Sequence, residues 1–208
     1  MHAEFSYDQF RRPSGEEGRL LLEDMNVHHR ELSEWALAAL PLRKCRTILD
    51  IGCGGGMLIS LLAKRFVSAD ICGVDISEES VAVTEKVNED LAKAGRLHVS
   101  VNSVSDLPFA DGSFDLVTAF ETYFFWPDQK NDLRKAAAKV RPGGYIVIVS
   151  ETYPHPDFKE RNDEFIRLYG LKLLSNDDMK ALLEGYGMNV TVNEAEEKNW
   201  VAFVGKKR

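Results

Sequence analysis

Ile48-Leu49-Asp50-Ile51-Gly52-Cys53-Gly54-Gly55-Gly56-Met57 is the stretch on which the fold turns. An apolar strand candidate, Thr47 to Ile51, runs straight into a glycine cluster, and a helical pattern follows from Met57 to Phe66. In an open parallel sheet, ligands sit at the carboxyl ends of such strands. Glycines there admit positive φ and let backbone N–H groups approach a ligand closely. Two familiar spacings are excluded. A phosphate-cradling loop needs Gly-Lys-Ser/Thr, and no lysine follows; a G-x-G-x-x-G fingerprint begun at Gly52 needs a third glycine where Met57 stands. What remains is an acid and three glycines, Asp50, Gly52, Gly54 and Gly56. A carboxylate beside the loop suits a ligand bearing a cation and repels a pyrophosphate. The plainer reading of the same residues is a tight turn whose helix Asp50 caps.

Outward from this segment, short apolar runs and helical patterns alternate. Upstream, Leu21, Met25, Leu32, Trp35, Ala36 and Ala39 recur at three- and four-residue steps, predicting one helix from Glu16 to Leu40 that Pro41 ends. Residues 1–18 read as a polar arm or short helix. Downstream, strands are expected at Asp70 to Asp75, Leu97 to Val101, Phe114 to Phe120 and Tyr145 to Val149. Between them come helices from Ser77, a favoured N-cap followed by two acids, to about Ala94, and from Asp128 to Val140. Helices over 160–174 and 176–186 precede two strands, Asn189 to Asn193 and Trp200 to Val204, with no helix between them. That pair implies an antiparallel hairpin at one sheet edge. The expected fold is α/β, a Rossmann-like, doubly wound, mostly parallel seven-stranded sheet with an antiparallel C-terminal hairpin. Two parts are expected: an N-terminal helical cap or lid over residues 1–42 and a ligand-binding domain over residues 43–208.

Composition bounds the function. The chain has 208 residues, 44% of them apolar, with 26 basic against 33 acidic residues and a formal net charge of −7. A chain this apolar builds a core, and its acidity argues against a general nucleic-acid binder. No apolar run approaches the roughly 18 residues that suggest a bilayer span, and Met1 to Phe10 lacks the apolar stretch of a secretory leader. Three cysteines with no C-x-x-C pair make no disulfide framework. A cytoplasmic protein is expected, with no membrane insertion.

A second acid strengthens the ligand reading. Asp75 closes the next strand in Gly73-Val74-Asp75-Ile76-Ser77, about 20 residues past the glycine turn, where an acid can accept from ribose hydroxyls. Then come Asn102-Ser103-Val104-Ser105-Asp106-Leu107-Pro108-Phe109, Ala110-Asp111-Gly112-Ser113-Phe114-Asp115, Phe120-Glu121-Thr122 and Arg141-Pro142-Gly143-Gly144-Tyr145. In this order, over about residues 45–150, the motifs resemble the class I S-adenosylmethionine-dependent methyltransferases. The likeness is to the small-molecule branch typified by the ubiquinone/menaquinone-biosynthesis enzymes (methyltransferase domain type 11). The resemblance implies that Asp50, Gly52, Cys53 and Gly54 hold the methionine end of the cofactor, that Asp75 binds its ribose and that Ile76 packs on its adenine. Relatives often carry Asp-Ala after the third strand, where this chain has Ser103-Val104. Ser103 and the Val104 backbone are therefore expected at the adenine, with Asp106 as an alternative acid. Phe120 and Glu121 would lie near the reacting methyl group.

The remaining candidates concern the methyl acceptor. Met25-Asn26-Val27-His28-His29 resembles a cap segment of some relatives. His29 shares the helix face of Met25 and Leu32 and reads either as a base or hydrogen-bonding group, or as a packed histidine. The adjacent histidines lack a third His or Cys at zinc-like spacing, so no metal is expected. The aromatic run Glu121 to Trp126 either anchors the next helix or lines an apolar acceptor pocket, with Glu121 and Tyr123 the favoured catalytic candidates beside His29. Tyr153 and His155 follow the fifth strand at the same sheet end. The expected activity is methyl transfer from S-adenosylmethionine, leaving S-adenosylhomocysteine, to a small apolar or aromatic molecule. The competing readings are a non-catalytic module binding that cofactor and an NAD-dependent oxidoreductase.

Overall fold

In a computed structural model that describes residues 5–208, the chain runs α1 (Tyr7–Arg11), α2 (Gly15–His28), α3 (Arg30–Ala38), β1 (Thr47–Ile51), α4 (Met57–Arg65), β2 (Asp70–Asp75), α5 (Glu78–Val87), α6 (Glu89–Lys93), β3 (Leu97–Val101), β4 (Phe114–Phe120), α7 (Gln129–Lys139), β5 (Val140–Ser150), α8 (Lys159–Tyr169), α9 (Asn176–Gly185), β6 (Met188–Ala195) and β7 (Trp200–Lys207). The first four residues of the cap expected over 1–42, and the start of the polar arm, lie outside the described residues. The strands form one sheet in the order β3-β2-β1-β4-β5-β7-β6. The first five are parallel, and β7 runs antiparallel to both β5 and β6. The fold is the expected mostly parallel α/β sheet with its C-terminal hairpin.

Both faces of this sheet are covered at its centre, which explains why β1, β4 and the end of β5 are buried almost continuously while the edge strands β3 and β6 are only partly buried. Successive β5 residues nevertheless part company: Ile146 and Ile148 join one core with Leu133 and Ala136 of α7 and Met179 and Leu183 of α9. Val147 and Val149 join the other, with Leu32 and Ala36 of α3 and Ile59 and Leu62 of α4. That is the two-residue period of a strand with a hydrophobic layer on each side. Among the described residues, no helix is long and apolar enough to cross a membrane.

Besides small extensions of β6 and β7, four boundaries differ from the sequence reading, each for a local reason. The helix expected over 16–40 breaks at His29 (φ −84°, ψ 2°), so α2 and α3 are separate. The helix from Ser77 breaks at Asn88, whose side-chain amide donates to the carbonyls of Gly56 (2.9 Å) and Thr84 (3.1 Å). Such local side-chain bonds compete with the helical ladder. The helix after 159 stops at Gly170, in the left-handed conformation that ends helices. The fifth strand begins at Val140, ahead of Pro142, because Val140 pairs with Phe114 before the register shifts.

At the amino ends of the strands, Asp115 ties β4 to the start of β1. Its Oδ2 accepts from the backbone N–H of Arg46 (2.6 Å) and of Thr47 (3.2 Å), and Arg141 pairs with its other oxygen. Asp115→Ala strands those donors in a nearly buried place and should lower unfolding free energy by about 1–3 kcal/mol. Urea denaturation would show it as a lower midpoint at an unchanged slope.

Candidate functional site

The chain leaves β1 toward β2 and β3 on one side, then returns to β4 on the other, so the order reverses between β1 and β4. In such sheets the crevice beyond the carboxyl ends at this point is the ligand site. Four acids stand along it. Asp50 and Asp75 are near or at the ends of β1 and β2, while Glu121 and Glu151 directly follow β4 and β5. Since the sheet runs β2-β1-β4-β5, they follow one another across its edge.

The first two acids belong to a cavity of about 160 Å³. It gathers all nine residues that the family resemblance assigns to a cofactor, namely Asp50, Gly52, Cys53, Gly54, Asp75, Ile76, Ser103, Val104 and Phe120. Gly52 has φ +76°, and a Cβ there would meet Thr122 Oγ1 at 2.5 Å, so the turn needs glycine twice over. Asp50 is 1% exposed, and among the described residues its hydrogen-bond donor is Thr118 Oγ1, at 2.7 Å. Burial pushes its carboxyl up to about 7, against the Thr118 bond and with a further push from the charge of Asp75. Asp75 is also raised by burial, tempered by the N–H groups of Ser77 (2.9 Å) and Gly54 (3.0 Å). Ser103 faces the cavity and its Oγ accepts from Ser105 N (3.1 Å), whereas Asp106 is exposed and is not part of the lining. Burial raises the Cys53 thiol well above its ordinary value, which keeps it an unreactive, small wall residue.

A second cavity, about 250 Å³, adjoins the first and shares Phe10, Met25, His29, Glu121 and Phe125 with it. Phe124, Phe165, Tyr169 and Leu171 make the rest of its apolar wall, and His28 and Glu151 its polar end. Glu121 adopts φ +54°, a conformation that non-glycine residues rarely hold. Its Oε1 accepts from Glu151 N at 2.6 Å. Burial drives its carboxyl well above the usual range, and the charge of Glu151 adds to the effect. Burial alone would raise Glu151 as well, but its contacts with His28 (3.2 Å) and His29 (3.6 Å) outweigh that and hold it well below. His28 is raised in return, chiefly by its bond to Glu151.

Three residues that the sequence offered for the acceptor fall elsewhere. Tyr123 is 1% exposed within the core and lines neither cavity, because the tight turn over Tyr123–Phe125 sends consecutive rings in different directions. Tyr153 is buried in the same core, and His155 spends Nδ1 on the backbone N–H of Asp157. Conversely, Thr122, Asn26, His28 and Glu151 line the cavities although the sequence reading did not single them out as site residues. Glu151 carries a usable signal, since it follows a parallel strand just as Glu121 does. Asn26 is a polar residue on an otherwise apolar helix face. Its amide donates to Gly55 O (2.8 Å) and its Oδ1 accepts from Met57 N (3.3 Å), clipping α2 onto the glycine turn.

With this geometry in view, likenesses to known proteins take on meaning. Residues 49–148 match the family described as "Methyltransferase domain". The chain is 32% identical over 145 residues to the O-methyltransferase cnsE of Penicillium expansum, covering 69% of this chain and 52% of that protein. It is 32% identical over 167 residues to the 27-O-demethylrifamycin SV methyltransferase of Amycolatopsis mediterranei, covering 76% and 59%. The matched segment thus spans between half and two thirds of these relatives' lengths. In fold it resembles an O-methyltransferase family protein from Burkholderia thailandensis, with a TM-score of 0.78 at 15% identity over 92% of this chain and 60% of that one.

The doubly constrained glycine gives a direct check on the turn. Gly52→Ala combines a left-handed φ with a collision against Thr122 and should cost about 1–3 kcal/mol. For a chain of this size, that lowers the midpoint of a thermal melt by several degrees, at about 2–4 °C per kcal/mol.

Proposed function

Residues 49–148 belong to the methyltransferase domain family, and on that premise we propose that the protein transfers a methyl group from S-adenosylmethionine to a small apolar or aromatic molecule. The observation that carries this reading is the pair of joined cavities. One is built from the buried Asp50, the half-buried Asp75 and a glycine turn, and the other from aromatic rings. A carboxylate as buried as Asp50, with one hydroxyl donor, is a poor resting state and a good partner for an ammonium group. In this reading Asp50 holds the amino group of the cofactor's methionine end beside Gly52, Cys53 and Gly54. Asp75 accepts from the ribose hydroxyls, Ile76 packs on the adenine, and Ser103 with the Val104 backbone meets its edge. Phe120 borders the transfer point.

The cofactor, when bound, supplies a methyl group already activated by its sulfonium. The protein's residues then have to align an acceptor and exclude water. His29 and Glu121, on the wall common to both cavities, are the polar groups proposed to touch that acceptor. The aromatic second cavity favours a flat, apolar molecule. Residues 1–42 serve as a lid, with α2 held to the glycine turn through Asn26. A net charge of −7 disfavours nucleic-acid acceptors, and the three unpaired cysteines suit a reducing compartment such as the cytoplasm.

Calorimetric titration with S-adenosylmethionine tests the assignment. Asp50→Asn and Asp75→Asn each remove a charge-assisted bond worth about 1.5–3 kcal/mol and should weaken binding roughly 10- to 100-fold. Equal affinity in both variants would overturn the site. The titration should also depend on pH. With Asp50 lifted to about 7, a cationic ligand competes with its proton. Wild-type affinity should therefore rise between about pH 6 and about pH 8, and Asp50→Asn should lose that rise. The linkage to stability has the opposite sign. A raised acid stabilises the fold below its unfolded pKa, and that contribution is lost as pH climbs through about 7. Asp50→Asn should accordingly melt higher than wild type above neutrality when no ligand is present.

A further inference from the structure

We propose that His28, His29 and Glu151 form a site for one divalent first-row transition-metal ion on the wall of the second cavity. Glu151 offers a different oxygen to each ring: Oε2 lies 3.2 Å from His28 Nε2, and Oε1 lies 3.6 Å from His29 Nε2. One ligand atom from each residue falls within 4.8 Å of the others. Metal–donor bonds of about 2.0–2.2 Å set neighbouring donors about 3.0–3.5 Å apart around a single ion. The two His–Glu separations already lie close to that spacing. Two imidazoles with one carboxylate suit zinc, iron, cobalt or nickel better than magnesium, which prefers an all-oxygen shell.

The fold supplies the convergence. Neighbouring residues of a continuous helix point about 100° apart. Here α2 ends at His28 and α3 begins at Arg30, and across that break the two rings come to a centroid separation of 5.2 Å. Glu151 is fixed from both sides of its backbone. Its N–H donates to Glu121 Oε1, and its carbonyl accepts from Arg161 Nη2 at 3.1 Å. Such pinning is what keeps a metal ligand aimed. All three side chains line the aromatic cavity, and the half-exposed side chain of His28 opens a route from solvent.

Three protein ligands leave coordination positions open, the arrangement of a site that takes up a further oxygen rather than one that merely holds structure. Because His28, His29 and Glu151 all line the second cavity, the ion would anchor a hydroxyl or carboxylate oxygen of the acceptor there. That use rests on the methyl-transfer reading. The metal site itself does not.

The test is calorimetric titration of Zn²⁺ alone, and of Co²⁺ alone followed by its visible absorption. It uses tag-free, chelator-stripped protein as wild type, His28→Ala, Glu151→Gln and Cys72→Ser, with circular dichroism confirming that each folds. The expected result is one ion per chain, at least 100-fold weaker in His28→Ala and Glu151→Gln and unchanged in Cys72→Ser. No saturable binding, or equal affinity in all four proteins, would overturn the proposal and leave a plain histidine–glutamate ion pair. A separate titration with S-adenosylmethionine keeps the two readings apart. Metal binding without cofactor binding sinks methyl transfer and spares the metal site, and the converse result sinks the metal site alone.

Discussion

Carboxylates buried where parallel strands end are the constraint around which this protein is arranged. Burying a carboxylate costs desolvation free energy unless a donor meets it, and at the end of β1 the strand register delivers that donor. Asp50 shows this most clearly. Its register partner on β4 is Thr118, whose hydroxyl reaches its Oδ1, and its partner on β2 is Gly73. A side chain at 73 would press on Cys53 Sγ at 3.3 Å, so the strand beside the acid also keeps the glycine turn in place. A slip of one residue in β1 would turn Asp50 to the other face.

The row of acids divides into two electrostatic halves. Asp50 and Asp75 are both pushed up by burial. Glu121 and Glu151 are driven apart, the first upward and the second downward, because only Glu151 meets the two histidines. Groups whose environments separate them in this way mark places where charge and protons are managed. Glu121 borders both cavities and holds a left-handed φ, so the two halves meet at a residue of unusual backbone conformation.

The N-terminal helices complete these cavities. Phe10, Met25 and His29 contribute to both, and Ser77 Oγ donates to Pro13 O at 2.5 Å, fastening the segment to the start of α5. Together with the Asn26 clip, this makes a covered crevice part of the resting structure. Exclusion of water then requires less rearrangement when a ligand enters.

Local chemistry was enough to read much of this. Strands β1, β2 and β4 were legible because apolar runs bounded by Gly and Asp carry their own limits. Asp50, the glycines after it and Asp75 were legible because strand ends and glycine turns converge in any parallel sheet, whereas Ile76, Ser103, Val104 and Phe120 came from the family resemblance. That Tyr123 turns into the core rather than toward either cavity was not legible, because a tight turn has no period from which to read a side chain's direction. The meeting of the adjacent histidines with Glu151 was not legible because it spans 123 residues of chain between His28 and Glu151. The amino-acid order by itself determined the sheet, the glycine turn and the acids at the strand ends, since these follow from periodicity and backbone sterics. Only the tertiary structure decided which aromatic ring faces the cavity, how far each carboxyl shifts, and that two neighbouring histidines face one glutamate. Those outcomes depend on burial and on contacts between distant segments, which no local pattern encodes.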